Sequence, residues 1–141
     1  MQKLSATICW TDPNGQTNVT GDTDNRTPRL KNNLDLKILK DGNVYYPWKL
    51  NVDDPTSAAI NTEENDVDNV EKVEIPNAQP GVYTIQVTHK GTLTGGSQVF
   101  SLIANATNGL SLNTRDYDYD NNIFIYPNPA SSVLNFISKD N

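Results

Sequence analysis

The sequence predicts an all-β protein, an antiparallel β-sandwich or jelly roll with a short C-terminal β extension. Three observations carry this. Apolar residues recur with period two in short runs, and Pro-Gly, Asp-Gly and Asp-Pro-Asn-Gly signals separate those runs. The 141 residues also include 19 Asn, 14 Thr, eight Gly and eight Pro, types that break helices or compete with their backbone hydrogen bonds. Finally, no helix-period stretch of useful length occurs, so each sheet has to be buried on another sheet.

The first strand is read at the start of the chain. Leu4, Ala6, Ile8 and Trp10 alternate with Ser5, Thr7, Cys9 and Thr11, and Asp12-Pro13-Asn14-Gly15 closes the run. Residues 16–32 are almost free of apolar side chains and read as a long loop. A second strand places Leu34, Leu36 and Ile38 on one face, Asp41-Gly42 forms a tight hairpin turn, and residues 44–50 return as its partner. An acidic loop at 51–66 leads to a strand from Val70 to Ile75, which Pro76 ends. Pro80-Gly81 opens the clearest strand, Val82 to His89, with Tyr83, Ile85 and Val87 facing one way. A Gly-rich turn at 91–96 precedes the last strand of the sandwich, Gln98 to Ala104.

After residue 105 the composition shifts to Asn, Thr, Asp, Tyr and Ser, which reads as a linker over 106–122. A separate β segment begins at 123 and runs to 141, with strands at 123–126 and 133–137 around Pro127-Asn128-Pro129.

Charge and composition exclude several functions. A net charge of −6 and a pI near 4.5 argue against nucleic acid or an anionic membrane as partner, because both need clustered Lys and Arg. No run approaches the length of a membrane-spanning helix, so no membrane insertion is expected. One cysteine excludes an internal disulfide, and no Cys/His cluster offers zinc. A Ser-His-acid triad needs its members within hydrogen-bond reach, and the only histidine, His89, reads as a strand-end residue making a backbone or packing contact. Cys9 reads as a buried structural thiol. No catalytic residue is expected, and the chain is read as a non-enzyme.

Asp35 stands between Leu34 and Leu36. Such an acid has to be exposed, hydrogen-bonded or metal-bound, since burying a lone carboxylate costs several kcal/mol, roughly. Tyr46 and Trp48 share one face of their strand. They suit either core packing or stacking on a sugar ring, the latter making a carbohydrate- or surface-polymer-binding module the alternative reading.

The ordered set CWTDP (9–13), NNLDLKI (32–38), DG (41), YYPW (45–48), NDVDNVEKV (65–73), GVYTIQVTHKG (81–91) and GSQVFSL (96–102) resembles the β-sandwich that follows the catalytic domain in a branch of the secreted subtilisin-like serine proteases. That sandwich is similar to the P domain of the proprotein convertases. The resemblance covers residues 4–104 and implies a non-catalytic accessory domain whose partner is the catalytic domain of its own parent chain. Calcium sites are common in the related sandwiches, and Asp12, Asn32, Asp35, Asp66 and Asp68 fall in the family's acidic motifs. The chain departs from the usual Asn-Asp-Leu-Asp-Leu by carrying Asn33, which removes one negative charge from such a site.

The segment IFIYPNPASSVLNF (123–136) looks like the opening of the type A C-terminal sorting domain of the type IX secretion system. The resemblance implies export by that machinery and a secreted or surface-attached location in a Gram-negative bacterium. The opening MQKLSATICW lacks the apolar run of a signal peptide, which reads here as the front of a fragment. A plain structural spacer of an exported protein is the third reading.

Overall fold

The computed structural model describes residues 2–17, 21, 23, 25–106, 111–112 and 136–137. No helix occurs among them. Six strands build two antiparallel sheets: β1 (Gln2–Trp10), β2 (Leu34–Lys40), β3 (Asn43–Tyr45), β4 (Val70–Ala78), β5 (Thr84–His89) and β6 (Phe100–Asn105). One sheet has the order β4-β1-β6 and the other β3-β2-β5. Only the β2–β3 hairpin stays within a sheet. Every other connection among these strands crosses to the opposite layer, as a sandwich requires.

The period-two pattern becomes the core directly. Leu4, Ala6, Ile8, Trp10, Val73, Ile75, Phe100 and Leu102 face inward from the first sheet. They meet Leu34, Leu36, Ile38, Tyr83, Ile85 and Val87 from the second. Burying one such side chain fully is worth about 1.5–3 kcal/mol, so this interface is the main source of stability. The turn between β2 and β3 also follows the sequence: Asp41 (φ 48°) and Gly42 (φ 80°) both have positive φ, as a two-residue I′ turn requires.

β5 and β6 each begin two residues later than read from the sequence, and two other strands differ by more. Pro76 does not end β4, which runs on to Ala78. Ile75 and Ala78 oppose Leu4 and Gln2, so the proline falls in a bulge where β4 holds an extra residue, and an edge strand tolerates the missing N–H there. The return strand is shorter than 44–50. Pro47 has no N–H to donate to β2, and the chain turns away: Trp48 N–H donates to the Lys72 carbonyl of β4 at 2.9 Å, and Lys49 pairs with Ile60.

A short pair, β7 (Ser111–Leu112) and β8 (Phe136–Ile137), is antiparallel. Most of the expected linker and the Tyr126–Pro129 motif lie outside the described residues.

Candidate functional site

The outer face of β2 carries Asp35 and Lys37, and the loop before β4 folds over it. Lys90, directly after β5, is held there by its backbone N–H, which donates to the Asn33 carbonyl at 2.9 Å and prolongs the β2–β5 ladder. Its ammonium meets three carboxylates. It contacts Asp66, lies 2.6 Å from Glu64 and is 3.6 Å from Asp35. Lys37 pairs with the other oxygen of Glu64, and the Asn33 amide donates to Asp66 at 2.9 Å. Asp35, Glu64 and Asp66 each turn one oxygen into this cluster, all within 4.8 Å of one another.

Electrostatics separate the members. Burial raises the Asp35 carboxyl above its usual range, against the pull of Lys90. Hydrogen bonds from Lys37 and Lys90 lower Glu64. Asp66 is also lowered, because Lys90 and Asn33 outweigh its desolvation. Lys90 itself is pushed up by Asp66 and Glu64 despite the cost of burial, so its charge is permanent.

Glu71 lies at the edge of this region, wholly buried on the inward face of β4. One of its oxygens accepts the Leu36 N–H at 2.7 Å. Burial pushes its carboxyl up to about 8, the Leu36 hydrogen bond pulls the other way, and Asp35 and Asp66 add to the rise. The buried side-chain oxygens without a hydrogen-bond partner among the described residues are Asn33 Oδ1, Asp35 Oδ1 and Glu71 Oε1.

Of the five residues singled out for calcium, Asp35 and Asp66 come together, joined by Glu64. Asp12 and Asn32 form a different knot. Asp12 accepts the N–H groups of Lys31 and Asn32, both at 2.8 Å. The buried Asn32 side chain accepts Thr94 N–H at 2.7 Å and donates to Gln98 at 2.8 Å, while its carbonyl accepts the Trp10 indole N–H at 3.0 Å. Asp68 is bound locally, taking a hydrogen bond from the Asn65 amide at 2.8 Å.

His89 is exposed at the end of β5, with Nδ1 3.0 Å from the Gly91 carbonyl, which is the backbone contact expected. Cys9 is not buried. It lies on the outward face of β1 beside Val70 and Ser101, as the alternation with Ile8 and Trp10 dictates. Tyr46 is half-buried and Pro47 buried, whereas Trp48 is 40% exposed and Leu50 77%.

Glu71 and Lys90 escaped sequence reasoning. For Glu71 the signal was present, since period two puts it on one face with Val73 and Ile75. For Lys90 and Glu64 it was absent, because only the fold brings them to Asp35. No family model, curated protein or solved structure matches the chain.

Proposed function

We propose that residues 1–105 are a non-catalytic accessory domain of an exported subtilisin-like serine protease, packing on its catalytic domain and positioning access to protein substrates. The observation that carries this reading is the ordered set of motifs along the sandwich. It is supported by how those motifs are used: CWTDP, NNLDLKI and GSQVFSL meet at Asn32, and NNLDLKI, NDVDNVEKV and GVYTIQVTHKG meet at Lys90. The residues behind the resemblance thus fasten the loops of the fold. The type IX sorting motif supports export of the parent. Expressing the full-length gene product with and without residues 1–105 tests the proposal. Loss of stability, secretion or proteolysis in the shortened form is expected, and equal behaviour of both forms overturns it.

A second reading has one observation in its favour. Trp48, Leu50 and Val52 are exposed while Lys49 and Asn51 between them are half-buried, so an aromatic and two apolar side chains line one side of an extended segment. Such a strip suits stacking on a sugar ring of a surface polymer. Because Trp10 is buried, quenching or shift of tryptophan fluorescence on titration with soluble polysaccharides would report on Trp48, and an unchanged spectrum removes this reading.

A further inference from the structure

The oxygens of Asp35, Glu64 and Asp66 have the spacing of a hard-cation site. A calcium ion lies about 2.3–2.6 Å from each ligand oxygen, so three oxygens sharing one ion fall within about 5 Å of each other. Here the limit is 4.8 Å. A second feature points to a cation. Asp35 is 3% exposed and its Oδ1 has no hydrogen-bond donor. A buried carboxylate oxygen without a donor needs a positive charge close by.

The structure supplies one. We propose that this cluster is a cation seat whose occupant is the chain's own Lys90 ammonium, and that a divalent cation takes the seat only when the ammonium is removed. Lys90 reaches all three carboxylates, and its tether is fixed at the backbone by Asn33. The ammonium and an ion coordinated by the same three oxygens cannot be present together, because their centres would overlap. A tethered ammonium also has little translational freedom left to lose; it hydrogen-bonds Glu64 and Asp66 and reaches Asp35 through charge alone, at 3.6 Å. The native fold is therefore independent of calcium, although the acids around Asp35 are arranged as if for an ion. This inference stands whether or not the domain serves a protease.

The test compares the native chain with Lys90→Met, which keeps the aliphatic stem. The native chain is expected to melt at the same temperature in millimolar calcium chloride and in excess chelator, and to give no calorimetric binding heat. Lys90→Met is expected to melt lower in chelator, to recover several degrees with calcium, and to bind one ion per chain. Stoichiometric calcium binding by the native chain overturns the proposal, as does a folded Lys90→Met protein that binds none. Should the variant not fold, nitrogen-15 spectra of the native lysine side chains decide. Persistent Lys90 Nζ protons that calcium leaves in place uphold the seat, and their loss or displacement by calcium refutes it.

Discussion

Glu71 and Leu36 are tied across the two sheets: the buried Glu71 carboxyl on β4 accepts the backbone N–H of Leu36 on β2 at 2.7 Å. The pairing of β3 with β2 reaches only as far as Ile38, so Leu36 lies on a part of β2 that β3 does not cover. A side chain from the opposite sheet fills the role of a missing strand. The acid stays protonated at neutral pH because burial pushes it up to about 8.

That shift sets a pH dependence. The unfolded chain releases this proton near pH 4.5, and the folded chain holds it until about 8. Between those values the native state binds more protons, so stability is fully present below pH 4.5 and declines up to about 8. The slope is on the order of 1 kcal/mol per pH unit. Glu71→Gln keeps an acceptor for Leu36 and cannot ionise, so urea unfolding of this variant should be flatter than the native protein between pH 5 and 8. Glu71→Ala should cost roughly 3 kcal/mol at pH 5, since it leaves a buried donor unpaired and opens a cavity. Parallel pH profiles for native and Gln proteins would contradict a buried neutral acid.

Asn32 joins the β1–β2 and β5–β6 loops to the end of β1 through its buried side chain and backbone. Replacing it with alanine strands the Thr94 N–H and the Gln98 side-chain oxygen Oε1, and the expected loss is roughly 2–4 kcal/mol in chemical denaturation. Asp12→Ala acts on two N–H groups that are more accessible to water, and about 1 kcal/mol is expected. A reversed order of these two variants would show that the knot is organised around Asp12.

The core of the sandwich was legible because one rule, period two, governs every strand that contributes to it. Leu4 to Trp10 and Tyr83 to Val87 face inward as their alternation demands. Strand ends were less legible where proline intervened. Pro76 is accommodated by an edge-strand bulge, which depends on the partner strand and not on local sequence. The cluster around Lys90 was invisible for a similar reason. Asp35, Glu64 and Lys90 are far apart in sequence, and their meeting depends on the β2–β5 register that sets Asp35 opposite Thr88. The acidic motifs drew attention to carboxylates, and the cation that neutralises them lay just past the end of β5.

The β2–β3 hairpin offers a local test. Gly42 has φ 80° with open space around a would-be Cβ, so Gly42→Ala meets backbone strain alone. A cost of about 1 kcal/mol is expected. Gly42→Asn should recover part of it, because asparagine tolerates positive φ. Equal melting of all three proteins would mean that the turn relaxes to another type.

Cys9 is exposed on the outward face of β1. One thiol per chain should therefore react with Ellman's reagent without denaturant, and Cys9→Ser should change stability by less than about 0.5 kcal/mol. A thiol that reacts only after unfolding would place Cys9 under a covering segment.

Acid weakens the cluster by the opposite sign from Glu71. Asp66 and Glu64 ionise more readily in the folded chain than when free, held by Lys90 with Asn33 and by Lys37 with Lys90. Their contribution is present above the ordinary carboxylate range and is lost as pH falls through the lowered folded values. Asp35, raised by burial, partly offsets this loss because its neutral form is easier to bury. The acid limb of the stability curve should thus be shallow in the native protein and shallower in Asp66→Asn, which retains an acceptor for Asn33 but no charge for Lys90. Melting temperatures from pH 5 down to pH 2.5 measure it. An Asp66→Asn protein whose acid limb is as steep as the native one would move the acid-sensitive groups away from Lys90.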